Sequence, residues 1–322
     1  MKTRVVMPPS GIKEAVRLLS TGEPVALPTE TVYGLGAAAL DPMACAKIFE
    51  AKERPLSDPL IVHLPSFDWL EKLAQPNDLA LRLAEKFWPG PLTMVLPRQA
   101  IIPDIVTAGQ ETVALRMSAH PVFQQVAEAF GQPIAAPSAN RFGRISPTRA
   151  EHVLSELDGR IPLILDGGPC AHGIESTIVL IRGDGMEVLR HGPVTAEELL
   201  KFGRVLLGSG GISAPGMRKS HYAPRTRLEI KWHRHPADAL SGSSAGSQCH
   251  AGLLAWSSSG DGYGAVERLS PTQDLREAAA NLYGAMRRLD EADLELIVAE
   301  PVPETGLGVA IMERLRKAAA RD

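Results

Sequence analysis

No apolar run in this chain approaches the roughly 20 residues that a membrane-spanning helix needs. The opening Met1-Lys2-Thr3-Arg4 runs into Pro8-Pro9 without the apolar stretch of a signal peptide. The cytoplasm is therefore the expected compartment, and no membrane partner is expected. Cysteine is scarce: Cys45, Cys170 and Cys249 are far apart, with no CxxC pair and no Cys/His cluster. That spacing gives no zinc signal and favours unpaired thiols in a reducing compartment. HExxH and clustered carboxylates are missing, and so is any Ser/His/Asp or Cys/His order with a nucleophile elbow. Metal hydrolysis and a protein nucleophile thus have no sequence support, and no protein-held metal is expected. The GxxxxGKS/T phosphate loop is also absent, so any ATP must be held in another way. A net charge of −3 gives no bulk attraction to nucleic acid, although a local basic patch stays open.

What is present reads as α/β. At 322 residues the chain exceeds what one hydrophobic core usually serves, so two domains are expected. Strands are expected at Val25–Leu27, Leu60–Leu64, Val113–Met117, Ile134–Ala136, Leu163–Leu165, Thr177–Ile181 and Glu187–Leu189. Helices are expected near 11–20, 77–87, 121–130, 148–157 and 195–202. A further helix runs from Asp41 to Lys52, with Asp41 as its cap and Pro42 in its first turn. This interleaving continues to residue 207. The stretch 208–227 opens on Gly208-Ser209-Gly210-Gly211 and has the texture of a linker, yet it carries Arg218, Lys219, His221 and Tyr222. A second α/β unit follows over 228–322, with strands at Leu228–Ile230, Leu253–Trp256 and Leu296–Val298. Leu275, Ala279, Leu282, Met286 and Leu289 recur there at helical spacing, and Gly308–Ala319 closes the chain as a helix.

The chemistry collects at strand ends, where open α/β sheets hold their ligands. Pro28-Thr29-Glu30-Thr31-Val32-Tyr33-Gly34-Leu35-Gly36 sets hydroxyls between an apolar strand and two glycines. Its glycines fit a dinucleotide fingerprint only nominally, because the helix starts later, at Asp41-Pro42; a tight turn beside the sheet is expected instead. Lys52 and Arg54 close the first helix, where they either complement its dipole or meet an anion. Asp58 follows in a short loop, and His63 shares a strand face with Ile61. In the strand Thr112–Met117, Arg116 stands opposite the apolar Val113, Leu115 and Met117, so it faces either solvent or an anion. Ser138, Asn140 and Ser146 supply hydroxyl and amide groups that suit phosphate contacts or an ordinary turn. Cations and hydroxyls at strand ends suit anion binding and catalysis by positioning.

Seven segments in order resemble the YrdC/Sua5 family. They are Pro28–Gly36, Lys52-Glu53-Arg54-Pro55, Pro59–His63, Trp88–Thr93, Ala114-Leu115-Arg116, Pro137–Asn140 and Glu175–Val179. Ser213–Met217 with His221–Pro224 resembles the linker of the longer Sua5 branch, and the tail looks like its C-terminal domain. The resemblance implies a twisted mixed sheet with helices over 1–207, a linker or lid over 208–227, and a smaller Rossmann-like domain over 228–322. It implies L-threonylcarbamoyladenylate synthase activity, a nucleotidyl transfer that consumes L-threonine, bicarbonate or CO2, and ATP, and serves tRNA threonylcarbamoyladenosine formation.

By resemblance, Thr31, His63, Arg116, Ala136 and Ser176 contact L-threonine. Arg54, Asp58, Thr112, Ser138, Asn140, Ser146, Arg190 and Tyr222 contact ATP, Tyr222 covering it from the linker. Lys52 and Arg54 are the expected catalytic pair, neutralising phosphate charge with Mg2+ that arrives on ATP; no tightly bound cofactor is expected. Contact with tRNA and hand-over of product to a downstream threonylcarbamoyl transferase are further expected partners. The linker glycines at 208, 210, 211 and 216 suit a lid over a labile product. Two other readings compete: a non-catalytic RNA-binding module with a basic concave face, and a dinucleotide-dependent oxidoreductase built on Gly34 and Gly36.

Overall fold

The computed structural model describes residues 2–206, 221–231 and 250–320. The linker glycines at 208, 210, 211 and 216, with Arg218, Lys219 and Cys249, lie outside the described residues. Contacts divide the chain into two units: residues 1–142 with 146–217, and residues 143–145 with 218–322.

In the first unit, eleven strands among the described residues form one twisted mixed sheet. They are β1 (Arg4–Val6), β2 (Val25–Leu27), β3 (Gly34–Ala38), β4 (Ile61–His63), β5 (Leu92–Pro97), β6 (Thr112–Arg116), β7 (Ile134–Ala135), β8 (Leu163–Leu165), β9 (Thr177–Arg182), β10 (Gly185–Arg190) and β11 (Arg204–Leu206). Their order is β1-β8-β2-β3-β7-β4-β6-β5-β9-β10-β11. The expected helices form at Ser10–Ser20, Pro42–Lys52, Asp78–Phe87, Pro121–Phe130, Ala150–Leu157 and Ala196–Leu199.

Two local features set up the site. Asp41 caps the helix Pro42–Lys52 by accepting the Met43 and Ala44 amides at 2.8 and 3.2 Å. That helix ends on Glu53 in the left-handed region (φ 53°), which turns the Arg54 amide back onto the Phe49 carbonyl. The expected turn at Gly34–Gly36 is instead the strand β3, antiparallel to β2. Small residues are needed there: a Cβ on Gly36 would stand 3.0 Å from Ile134 and 3.2 Å from Leu27. With no helix opening on these glycines, the dinucleotide reading loses its structural context.

The second unit carries β12 (Arg227–Ile230), β13 (Ala251–Ala255), β14 (Ala265–Arg268) and β15 (Leu296–Ala299), all parallel, in the order β12-β15-β13-β14. Helices Leu275–Asp290 and Leu307–Ala319 complete a Rossmann-like α/β layer. Ala278, Leu282, Met286 and Leu289 bury the inner stripe of the first of these helices. Gly143–Ile145 groups with this unit. The Ala223 amide donates to the Gly143 carbonyl, and the Arg287 guanidinium donates to the Ile145 carbonyl.

Candidate active site

The expected residues fall in two groups, and register places the first of them, with Thr112, on one sheet face. Parallel pairing aligns Ile61 with Ala114 and His63 with Arg116, so these four share a face. Antiparallel pairing aligns Val95 with Ala114, and parallel pairing aligns Val95 with Leu180. Ile61, Val95, Ala114, Ile178 and Leu180 form the apolar floor of that face. Arg116 ends β6 at one side of the floor, and Thr112 begins the strand at the other side. Four strand steps separate them, about 13 Å.

At the Arg116 end, the cation is buried (4 % exposed) rather than solvated, and it is paired with a carboxylate. It donates to Glu30 Oε1 at 2.6 Å, Thr31 Oγ1 at 2.9 Å and the Gly90 carbonyl at 3.2 Å. Ser118 donates to the other oxygen of Glu30. Burial alone would raise the Glu30 carboxyl, but Arg116 and the hydroxyl of Ser118 outweigh it and hold the group at about 2. Thr29 fixes the turn that presents Thr31: its hydroxyl accepts the Thr31 and Val32 amides and donates to the Val32 carbonyl. Beside them His63 is 2 % exposed, packs against the Phe123 ring at 4.7 Å, and leaves Nδ1 without a hydrogen-bond partner. Burial first and the Arg116 charge second push its pKa down to about 3, so the imidazole is neutral.

Ser176, just before β9, exchanges a hydrogen bond with Thr93 at 2.8 Å. Arg190, at the end of β10, donates to the hydroxyl and the carbonyl of Ser176, both at 3.0 Å. The resemblance assigns Ser176 to threonine and Arg190 to ATP; the structure joins the two directly. Gly192 lets this happen, because a Cβ there would lie 2.5 Å from the Thr177 amide nitrogen.

The second group gathers around Ser138–Asn140. Ala136 lies on the β7 side, its amide on the Ile61 carbonyl. An isolated bridge pairs Gly34 with Ser138, and the Ala139 amide donates to the Tyr33 carbonyl. Lys52 is 1 % exposed, and its ammonium donates to the Ser138 carbonyl at 2.6 Å and to the Asn140 carbonyl. Burial, then the Arg54 charge, lowers its pKa well below the ordinary lysine value. Arg54 donates to the Asp58 and Pro59 carbonyls at 3.1 and 2.6 Å and pairs with the Asp58 carboxylate at 3.2 Å. Ser146 is fully buried and its hydroxyl has no hydrogen-bond partner among the described residues. Tyr222 belongs to the second unit, where it stacks on Tyr283 at 5.7 Å with Arg314 over its ring.

Residue patterns alone do not mark Glu30, Ser118 and Thr93 as site members. The signal was present for two of them. Glu30 stands between two assigned threonines, and Thr93 ends the Trp88–Thr93 segment. Among the described residues no group of three His, Cys, Asp or Glu side chains is placed to hold a metal, and no helix is long and apolar enough to cross a membrane.

A family profile described as "Telomere recombination" (Sua5, YciO and YrdC) matches residues 17–192, and one described as "Threonylcarbamoyl-AMP synthase, C-terminal domain" matches residues 194–320. The threonylcarbamoyl-AMP synthase of Pyrococcus abyssi is 40% identical over 322 residues, covering 95% of this chain and 93% of that one. Its Bacillus subtilis counterpart is 42% identical over 320 residues, covering 96% and 92%. The crystal structure of P. abyssi Sua5 complexed with L-threonine superposes with a TM-score of 0.86 at 38% identity, covering 99% of this chain and 98% of that one. These relatives are named synthases across their length and give the RNA-binding alternative no support. The chain belongs to the Sua5/YrdC family, in the branch that carries the threonylcarbamoyl-AMP synthase C-terminal domain.

Proposed function

We propose that this chain makes L-threonylcarbamoyladenylate and pyrophosphate from L-threonine, bicarbonate or CO2, and ATP, for tRNA threonylcarbamoyladenosine formation. The observation that carries the reading is a separation of polar groups along the strands that form the face around Ala114. Arg116, braced by Glu30 and Thr31, stands at one end, and Ser138–Asn140, with the buried Lys52 and Arg54, stands at the other. Such a face takes an amino-acid carboxylate at one end and a triphosphate at the other.

Arg116 has five N–H donors, of which three are engaged, so two remain for the threonine carboxylate. The neutral His63 and the Ser176 hydroxyl border the same end and orient the amine and side chain. The amine attacks CO2 and loses a proton, giving a carbamate. The carbamate oxygen attacks the α-phosphorus of ATP as the bond to pyrophosphate breaks. Ser138, Asn140 and Ser146 hold the phosphates, and Arg54 offsets charge on the leaving group. Mg2+ carried with ATP as part of the substrate would supply further charge neutralisation at the phosphates. Thr112, Asp58, Arg190 and Tyr222 complete the nucleotide contacts carried by the resemblance.

The test is pyrophosphate release from ATP by the full chain, with each substrate omitted in turn. Release that needs both threonine and bicarbonate supports the synthase. Release that is indifferent to threonine, or no release at all, sinks it. Cytoplasmic location, tRNA contact and delivery of the product to a transferase are consistent extensions of this reading.

A further inference from the structure

The second unit has the topology of a nucleotide-binding sheet, and its ligand crevice is already filled. Open parallel sheets bind ligands where two neighbouring strands send their chains off in opposite directions. β13 and β15 are such neighbours. β13 leads to β14 on one flank, and β15 leads to the helix Leu307–Ala319, which packs on β12 at the other flank. At the carboxyl end of β13 the chain turns through Trp256, Ser257 and Ser258. All three of their amides point to a single atom, Oε2 of Glu300, at 2.7, 2.8 and 3.1 Å. The Ser258 hydroxyl donates to the other oxygen of the same carboxylate. Glu300 is the residue immediately after β15, and it is 2 % exposed. Ser257 and Ser259 on the rim of the turn are exposed.

Successive backbone amides converging on one point are how proteins hold phosphate and other oxyanions. Here the four donors are satisfied by a side chain of the same unit. A carboxylate buried this deeply is tolerable only because it receives that full set. We propose that the turn Trp256–Ser258 is an oxyanion site of the phosphate class, occupied from within by Glu300, so that the C-terminal unit is closed to nucleotides. With that turn occupied, the described residues of the second unit offer no open phosphate-binding turn at this crevice. The inference stands apart from the synthase reading, since no residue of that face enters it.

The test follows the backbone amides of Ser257 and Ser258 by NMR in the full chain, alongside thermal melting, while inorganic phosphate is added. In the wild type these two resonances stay put. In Glu300→Ala the four donors are vacated, the melting midpoint falls, and phosphate both moves the two resonances and restores the midpoint in proportion to the logarithm of its concentration. Acetate restores the midpoint as well, while chloride at equal ionic strength does not. Should Glu300→Ala fold poorly, its refolding yield is read with and without phosphate, and the expected result is a yield that rises with phosphate. Movement of the wild-type resonances would show an open site and overturn the proposal. Resonances, midpoint or yield in Glu300→Ala that ignore phosphate would reduce Glu300 to a structural cap and overturn it equally.

Discussion

Arg116 and Glu30 form a buried ion pair at 2.6 Å, with each side chain less than a tenth exposed. A buried pair of this kind is weak evidence of stability, because desolvation offsets most of the attraction. Its better explanation is geometric. With Oε1 of Glu30 and Oγ1 of Thr31 on two of its nitrogens, the guanidinium has one orientation in which to receive a substrate carboxylate. Glu30→Gln keeps the shape and removes the charge. The expected result is a threonine KM raised by about 10- to 100-fold, the value of about 1.4 to 2.7 kcal/mol in a charged hydrogen bond, with the ATP KM changed far less. Steady-state pyrophosphate release with each substrate varied gives both constants. Equal rises in the two would count against a threonine-specific role.

Ser146 separates binding from folding. Its hydroxyl is fully buried and has no hydrogen-bond partner among the described residues, which is a cost to the folded chain of about 1–3 kcal/mol. Ser146→Ala removes that cost, so the variant is expected to be as stable as the wild type or more so by up to about 1 kcal/mol. If the hydroxyl serves a phosphate oxygen, the ATP KM rises by about 10-fold at the same time. Urea denaturation and ATP titration on one preparation check both halves. A less stable variant with unchanged ATP affinity would assign Ser146 to the fold alone.

The difference between what the sequence announced and what it hid has physical causes. Elements with strong periodicity or a capping signal were legible: Asp41-Pro42 opened its helix, and the stripe through Leu275 and Met286 became the helix Leu275–Asp290. β3 was not legible, since Gly34–Ala38 is built of small residues that neighbouring side chains crowd, and such a strand has no β-branched signature. β14 was missed as well: Ala265–Arg268 exposes every other residue and carries two charges. In the site, residue types and strand-end positions showed which side chains to consider. Partners separated by more than eighty positions, such as Arg116 with Glu30 or Lys52 with Ser138, depend on sheet order, which a local pattern does not contain.

Lys52 has two possible jobs, and one variant tells them apart. The resemblance makes it a phosphate ligand, whereas its ammonium here is spent on the carbonyls of Ser138 and Asn140. Lys52→Met removes the donor that joins those two carbonyls, at a cost of about 1–3 kcal/mol. If holding the loop is the job, stability falls by about that much, and the ATP KM rises because Ser138 and Asn140 shift. Chemical denaturation beside the kinetics decides it. Loss of turnover at undiminished stability would return Lys52 to the phosphates.

His63 predicts how the fold responds to acid. Its pKa is about 3 in the folded chain against 6.5 for the ordinary side chain, the depression coming first from burial and then from Arg116. Above pH 6.5 both the folded and unfolded forms are neutral there, so the residue adds no pH dependence. Below that, the unfolded chain takes up a proton that the folded chain refuses, and stability declines by about 1.4 kcal/mol per pH unit. From pH 6.5 down to pH 5 the expected loss is therefore about 2 kcal/mol. His120, also lowered by burial, adds to the same limb. Glu30 enters only later, since a carboxyl held at about 2 contributes stability that is lost as pH falls below 4.5. His63→Gln should flatten the slope between pH 6.5 and pH 5 while leaving the Glu30 limb below pH 4.5 in place. Urea midpoints measured across this range for both proteins give the slopes, and parallel slopes would mean that His63 is protonated in the folded state.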